Sequence, residues 1–314
     1  MQSSAVNMGN VLLFPGQGSQ FVGMGEDIIR EFPEVDALYQ EASDTLNLNL
    51  KELILKGPSD KLTMTENAQP AILTTSYAIW SVIASRCDIL PAAALGHSLG
   101  EYSALVASGA IEFADAVKLT HLRGKFMQEA TPVGFGKMAA VLAPAKEVEL
   151  ECEKVKNAEM YCEIANYNSP NQQVISGTAD GVEYVKNGLK NRFRVIELAV
   201  SAPFHCKLMK PAKEKLAPYI DNIRIASPKF PVIENIASEI VKTSDNIASL
   251  LLNQITSPVK WIDNMQTASK FSQSMIEFGP GQVLSALARR IDKKIKVRNI
   301  KTVSDINKFI EDCN

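Results

Sequence analysis

Apolar and polar residues follow two alternating patterns along most of the chain. Short apolar runs predict buried strands, as at Val11–Phe14 and Ala92–Leu95, and an apolar stripe at helical spacing predicts a helix over Ala71–Ser85 that begins at Pro70. A strand followed by a helix recurs near the end of the chain, from Ser274–Phe278 onward. Strands that alternate with helices in this way predict an α/β fold with a parallel sheet.

Between residues 136 and 200 the order of elements changes to β-α-β-β-α-β. The predicted elements are Lys137–Leu142, Ala145–Val155, Tyr161–Tyr167, Gln173–Thr178, Asp180–Leu189 and Phe193–Leu198. This order is that of a ferredoxin-like unit. We therefore predict a small ferredoxin-like lobe over residues 134–202, inserted into a large α/β-hydrolase-like catalytic lobe that is built from residues 8–133 and 203–314.

Composition and charge narrow the class of protein. A net charge of −2, with 22% charged residues, gives no reason to expect nucleic acid or an anionic membrane as partner. No apolar run is long enough for a membrane span, and Met1–Asn10 lacks the basic-then-apolar order of a signal peptide. The cysteines form no C-x-x-C pair, which predicts no zinc site, no disulfide framework and a reducing, cytoplasmic location; they are Cys87, Cys152, Cys162, Cys206 and Cys313.

The segment from Gly96 to Glu101 carries the strongest chemical signal. Its sequence, GHSLGE, lies between a predicted strand and a predicted helix, which is the setting of a Gly-x-Ser-x-Gly nucleophile elbow. The glycines permit a tight turn that exposes the Ser98 hydroxyl. The turn also leaves the Leu99 amide at a helix N-terminus, where it can donate to an oxyanion. Ser98 is therefore the predicted nucleophile.

A serine nucleophile needs a base, and the chain has three histidines. His97 adjoins Ser98 and should point to the other side of the turn, while His121 lies within a predicted helix. His205 lies in a loop and follows the serine in chain order, as in α/β-hydrolases. Elimination favours His205 as the base. No acidic third member is visible, so a dyad held by a backbone carbonyl is an open alternative.

Two further positions could serve the same site. Arg123 follows Ser98 by 25 residues, and its guanidinium can hold a carboxylate through paired hydrogen bonds or can simply be a solvated helix residue. Gln17 lies in a glycine-rich turn after the first strand, where a backbone amide could complete an oxyanion hole. The same turn lacks the spacing of a phosphate loop or a dinucleotide fingerprint.

Seven motifs in order closely resemble those of the malonyl-CoA:acyl carrier protein transacylase family, and they cover nearly the whole chain. They are Phe14–Gln20, Gly96–Glu101, Arg123–Lys125, Ala165–Pro170, Ser201–His205, Gln254 with Pro258–Trp261, and Glu277–Gly281. The resemblance implies that Ser98 accepts the acyl group, that His205 activates it and that Arg123 binds the malonyl carboxylate.

The resemblance also assigns supporting roles. It implies that Gln17 and Leu99 supply the oxyanion amides and that Gln254 orients His205 through its main-chain carbonyl. His97 is expected at the substrate pocket as support for the elbow, like Glu101. The remaining expected pocket residues are Asn166 and Asn168 in the pocket wall, and Phe204, whose bulk near the substrate α-carbon predicts malonyl over methylmalonyl.

The implied function is transfer of malonyl from malonyl-CoA to the phosphopantetheine thiol of acyl carrier protein, by a ping-pong reaction that supplies fatty acid synthesis and needs no metal or cofactor. A trans-acting polyketide acyltransferase, a serine thioesterase or esterase, and a non-catalytic carrier-binding module are the alternatives. Carrier proteins of this pathway are acidic, so basic residues near the entrance are expected to dock them. Two groups qualify: Lys207, Lys210, Lys213 and Lys215, and Arg289, Arg290, Lys293 and Lys294.

Overall fold

The computed structural model describes residues 9–155, 160–200 and 202–313. The predicted domain start at residue 8, most of the segment tested for a signal peptide, and Ser201 of the His205 loop lie outside this range. No helix in the described part of the chain is both long enough and apolar enough to cross a bilayer.

The strands of the described residues form two sheets. They are β1 (Val11–Phe14), β2 (Ala93–Gly96), β3 (Gly136–Leu142), β4 (Cys162–Ser169), β5 (Gln172–Thr178), β6 (Arg194–Glu197), β7 (Val232–Ile233), β8 (Ile240–Val241), β9 (Ser274–Phe278) and β10 (Lys296–Ile300).

The helices surround these sheets, and a short 3-10 turn at Lys207–Met209 precedes the tenth of them. They are α1 (Glu26–Glu31), α2 (Pro33–Leu46), α3 (Leu50–Lys56), α4 (Ser59–Thr63), α5 (Thr65–Arg86), α6 (Gly100–Ala107), α7 (Phe113–Glu129), α8 (Ala145–Glu153), α9 (Ala179–Leu189), α10 (Lys210–Ile220), α11 (Ile247–Gln254), α12 (Trp261–Ser269), α13 (Val283–Ile291) and α14 (Val303–Cys313).

The larger sheet has the strand order β10-β9-β1-β2-β7-β8. All neighbouring strands are parallel except β7 and β8, which are antiparallel. The predicted parallel sheet is therefore mixed at one edge, because the six-residue connection between β7 and β8 is too short for a parallel crossover. Buried residues alternate along β1, so that Leu12 and Phe14 face one apolar core while Val11 and Leu13 face another.

The long helix α5 begins earlier than predicted and contains Pro70 in its interior. Proline lacks the N–H that would bond the carbonyl of Glu66, four residues earlier. His121 Nδ1 lies 2.9 Å from that carbonyl oxygen and fills the missing donor. The sequence pattern could not show this, because the compensating donor comes from α7.

The smaller sheet has the order β4-β5-β3-β6 and is antiparallel throughout. Helices α8 and α9 share an apolar core with it, and this is the predicted β-α-β-β-α-β unit. The backbone of β4 also exchanges hydrogen bonds with Val259, in the segment between α11 and α12. Tyr167 N donates to the Val259 carbonyl and Val259 N donates to the Ala165 carbonyl, both over 2.9 Å. This contact holds β4, which carries Asn166 and Asn168, against the large lobe. The limits proposed for the two lobes remain a prediction.

Candidate active site

The predicted site residues gather at the carboxyl ends of the central parallel strands. Gln17 follows β1, Ser98 follows β2 and Asn235 follows β7. Loops at this edge of an α/β sheet can bring side chains from distant parts of the chain together. The large lobe supplies the reactive groups, and β3, β4 and the segment after β6 cover them from the side of the small sheet.

Ser98 occupies a strained turn, which depends on the glycines two residues before and after it. Its φ of 53° lies in the left-handed region, which a serine rarely adopts. A Cβ at Gly96 would come within 1.9 Å of the carbonyl carbon of Gly100, and one at Gly100 within 2.1 Å of the Phe14 carbonyl oxygen. Both glycines are therefore required where strand and helix meet. The Ser98 amide donates to Asn235 Oδ1 over 2.7 Å, which holds the turn in place.

Ser98, His205 and Gln254 form a chain of hydrogen bonds. Ser98 Oγ lies 2.7 Å from His205 Nε2, and His205 Nδ1 lies 3.0 Å from the main-chain oxygen of Gln254. A carbonyl oxygen can only accept, so Nδ1 carries the ring proton and Nε2 is free to accept from the serine hydroxyl. His205 itself has a φ of 58°, another backbone conformation that the surrounding structure must hold.

The surroundings of His205 keep its ring neutral. Burial, and secondarily the nearby charge of Arg123, lower the pKa of His205 to about 3. A neutral imidazole is the form that can take a proton from Ser98. The electrostatic part of this shift depends on Arg123 being charged and uncompensated, so that a bound anion would make His205 more basic.

Arg123 is a fully buried cation without a carboxylate partner in the described part of the chain. It is 1% exposed. Its Nη2 donates to Ser98 Oγ over 3.1 Å and to Gln254 Oε1 over 2.8 Å, and its Nη1 donates to Gln69 Oε1 over 2.7 Å. Its Nε has no partner among the described residues. A buried charge of this kind is costly unless an anion completes it.

A buried carboxyl group, Glu101, interacts electrostatically with Arg123 but forms its hydrogen bonds with other groups. Burial and the charge of Glu234 raise the pKa of Glu101 to about 8, so its carboxyl is mainly protonated at neutral pH. Its Oε2 accepts from Gln254 Nε2 over 2.7 Å and from Asn235 N over 3.1 Å. Glu101 supports the elbow through these contacts and, within the described residues, forms no direct hydrogen bond or ion pair with Arg123.

Gln17 and Leu99 are the residues predicted to supply the amides of an oxyanion hole. Both residues line the same cavity as Ser98 and His205. Leu99 immediately precedes helix α6, where backbone N–H groups lack intrahelical acceptors. The side chain of Gln17 donates to Thr65 Oγ1 over 3.2 Å, which fixes the turn that carries its amide.

The cavity in front of Ser98 has a volume of about 350 Å³ and is lined by both lobes. Its walls combine apolar side chains with polar ones around Ser98, which suits a small acyl group that carries a polar end. Phe204, predicted to lie beside the substrate, lines it together with Met127, Met138, Leu198 and Val200.

Comparisons with known proteins agree on one family. The model of the acyl transferase domain matches residues 11–312. The chain belongs to the acyl transferase domain family. It is 43% identical to the malonyl CoA-acyl carrier protein transacylase of Bacillus subtilis, over 90% of each chain. The resemblance inferred from the seven motifs is confirmed.

Two solved structures are similar to this acyl transferase domain over nearly its whole length. One is an acyl carrier protein S-malonyltransferase from Vibrio cholerae, with a TM-score of 0.92, 38% identity, and coverage of 95% of this chain and 99% of the other. The other is a malonyl-transacylase in complex with its type II PKS acyl carrier protein, with a TM-score of 0.93, 37% identity, and coverage of 97% and 99%. The predicted fold, an α/β lobe with a separate ferredoxin-like lobe, is confirmed.

The predicted pocket residues of this acyl transferase domain include one that lines the cavity and a hydrogen-bonded pair beside it. Asn166 lines the cavity itself. Asn168 Oδ1 lies 2.8 Å from His97 Nε2, so these two support each other. His97 also reaches the cavity wall and packs near the Trp261 ring, with 5.2 Å between ring centres. Burial lowers the pKa of His97, which favours its neutral form.

Sequence reasoning missed Gln69 and Asn235. Gln69 holds Arg123, and Asn235 bridges the elbow because its Nδ2 donates to the Gly96 carbonyl over 2.8 Å. The prediction that helix α5 begins at Pro70 excluded Gln69 by one residue. Asn235 follows a strand of only two residues, which no apolar run can signal.

The two predicted basic groups differ in how far their charge is matched. Lys210 and Lys215 face carboxylates within 3.6 Å and 3.3 Å, and Lys213 donates to Asn253. Lys207 is exposed, with its Nζ 3.9 Å from the centre of the Tyr161 ring. The second group is exposed, and in the described residues it forms no ion pair. Three of its members, Arg289, Arg290 and Lys293, line a groove with residues 169–172 of the β4–β5 hairpin.

Proposed function

We propose that this chain transfers the malonyl group of malonyl-CoA to the phosphopantetheine thiol of acyl carrier protein, through a malonyl ester of Ser98, and so supplies fatty acid synthesis. It is an acyl-carrier-protein S-malonyltransferase. One observation carries the assignment of substrate to site: a buried, unmatched arginine contacts the serine of a Ser–His dyad. The carboxylate at the far end of a malonyl thioester supplies the missing anion.

The first half-reaction loads Ser98. His205 Nε2 takes the hydroxyl proton while Oγ attacks the thioester carbonyl, and the Gln17 and Leu99 amides donate to the oxygen as it becomes negative. The tetrahedral intermediate collapses, the carbon–sulfur bond breaks, and the CoA sulfur takes the proton from His205. The main-chain oxygen of Gln254 keeps the ring in the tautomer that this sequence requires.

Arg123 orients the malonyl group during this step. Its contact with Ser98 Oγ places the guanidinium beside the reacting carbonyl, so an acyl chain of malonyl length can reach both groups. When the carboxylate binds, it reduces the electrostatic effect that depresses the pKa of His205. Substrate binding thereby strengthens the base that starts the reaction.

The second half-reaction reverses the first with a new thiol. The phosphopantetheine thiol gives its proton to His205, its sulfur attacks the malonyl ester carbonyl, and Ser98 Oγ leaves with that proton. The similar complex of a malonyl-transacylase with an acyl carrier protein supports a macromolecular acceptor of this kind.

The carrier docks through the exposed basic groups, with Arg289 and Arg290 in the leading role and Lys207 and Lys210 nearer to His205. Arg289 and Arg290 make no ion pair within the described residues, and Arg290 bonds Gln172 at the hairpin that extends strand β4. Asn166 on the same strand lines the cavity, and about 10 Å of extended chain separates it from Ser169. An acidic partner on this groove can therefore direct its arm toward Ser98.

The proposed function is tested by intact-protein mass spectrometry after brief exposure to malonyl-CoA. A single malonyl adduct that requires Ser98 and moves to added holo-carrier supports it, with Ser98→Ala as the control. Malonate that accumulates without a transferable adduct would instead indicate a thioesterase. No adduct and no malonate would contradict both readings and indicate a carrier-binding module.

A further inference from the structure

Within the described residues, the guanidinium of Arg123 makes its direct contacts with neutral groups. Gln69 and Gln254 each accept one of its hydrogen bonds through a side-chain oxygen, over 2.7 and 2.8 Å, and both residues are 1% exposed. The remaining neighbours are the Ser98 hydroxyl and the Tyr102 ring, whose centre lies 5.6 Å from the guanidinium carbon. These groups position the cation without supplying a counter-charge.

The side-chain amides of Gln69 and Gln254 are both oriented with the oxygen toward Arg123. Gln254 Nε2 donates to the Ser98 carbonyl over 3.0 Å and to Glu101 over 2.7 Å, which directs Oε1 to Arg123. Gln69 has no such second contact in the described residues, and its oxygen is held by Arg123 alone. A glutamate at either position would have nearly the same shape and would place a carboxylate against the guanidinium.

We propose that Gln69 and Gln254 determine acyl specificity by positioning Arg123 with neutral acceptors, so that only an acyl group with its own carboxylate completes the ion pair. Gln69 is the cleaner position to test, because the main chain of Gln254 also bonds His205. This inference rests on the proposed function, since it assumes that the malonyl carboxylate binds Arg123.

The physical reason is competition for one buried charge. A carboxylate at position 69 would be desolvated together with Arg123 and would form a strong, charge-assisted pair with it. A malonyl group would then enter a site whose charge is already matched, and its own carboxylate would lose its partner. An acetyl group carries no charge, so the same change affects it much less.

The test compares Gln69→Glu with Gln69→Met, and uses Gln266→Glu as a control that adds the same charge on the exposed surface of α12. Rates of Ser98 acylation are measured with malonyl-CoA and with acetyl-CoA. For Gln69→Glu we expect the malonyl-to-acetyl ratio of kcat/KM to fall at least about tenfold. Gln69→Met removes the acceptor without adding charge and should lower the malonyl rate with a smaller change in the ratio.

A second readout follows the carboxylate directly. Free malonate should inhibit acetyl loading of the unsubstituted protein and should inhibit the Gln69→Glu variant much more weakly. If Gln69→Glu does not fold, as judged by its thermal unfolding, Gln254→Glu is tested for the same change in ratio.

An unchanged malonyl-to-acetyl ratio in a folded glutamate variant, or a change matched by Gln69→Met, would overturn the inference. If the unsubstituted protein forms no malonyl adduct at all, the proposed function fails instead.

Discussion

Two sets of arginines in this protein carry the same charge in opposite surroundings. Arg123 is buried, held by neutral acceptors and in contact with Ser98, the proposed nucleophile, whereas Arg289 and Arg290 are exposed at the rim of a groove. Burial strengthens an electrostatic interaction and protects it from salt, while exposed charges are screened. The buried arginine is therefore suited to its proposed role in selecting a small anionic group, and the exposed arginines are suited to their proposed role in guiding a large acidic partner.

The largest expected effect is at the buried charge. Arg123→Ala should lower kcat/KM for malonyl-CoA by on the order of a hundredfold or more, because two or more charge-assisted hydrogen bonds are lost. Loading of acetyl-CoA should fall much less. The measurement is the rate of Ser98 acylation with each donor. Equal losses for both donors would show that Arg123 supports the dyad and does not recognise the carboxylate.

The shape of the cavity beside Phe204 is expected to discriminate between malonyl and methylmalonyl groups. Phe204 is 7% exposed and lines the cavity, so a methyl branch on the malonyl α-carbon should meet its ring. Phe204→Ala should raise methylmalonyl loading relative to malonyl loading by about tenfold, the usual worth of a methyl-sized difference in a pocket. Competition between the two thioesters for Ser98 measures this ratio. No change would place the ring outside the acyl path.

The pH dependence of Ser98 acetylation tests how the buried charge of Arg123 affects His205. With a pKa of about 3, His205 stays neutral in the folded protein where an ordinary histidine, with a value of 6.5, would be protonated. Acetylation of Ser98 should therefore show no loss as the pH falls from neutrality to about 5. Arg123→Gln removes one cause of the low pKa, so its acetylation should begin to decline at a higher pH. A loss centred near the ordinary histidine value in the unsubstituted protein would contradict this account.

The smallest effect is expected at the exposed charges. The double change Arg289→Glu and Arg290→Glu should raise the KM for holo-carrier by about threefold to tenfold at low salt and by less at high salt. Transfer to a small free thiol should be unaffected, and Arg224→Glu serves as an exposed control. A carrier KM that does not respond to charge reversal would remove this groove as the docking surface.

Much of the large lobe and nearly all of the small lobe could be predicted from the sequence. Apolar strands such as β1 and β9 and an amphipathic helix such as α9 carry local patterns of sufficient length, and their predicted limits agree with the structure to within one residue. The pair β7 and β8 was missed because two residues per strand form no periodic signal. The start of α5 was wrong because a proline inside a helix can be tolerated when another element supplies the missing donor.

By itself, the sequence determined the features that depend on neighbours along the chain. The tight turn of the elbow is one, because Gly96 is required by its contact with Gly100 within a single strand–turn–helix, whereas Gly100 is required by the Phe14 carbonyl of β1. Only the tertiary structure showed two of the distant groups that meet there: Gln69 beside Arg123 and Asn235 beneath the elbow. It also decided the charge states of two groups, because the low pKa of His205 and the high pKa of Glu101 arise mainly from burial. The burial of a titratable side chain depends on how the whole molecule packs, so its effect on a pKa cannot be inferred from residue type or spacing.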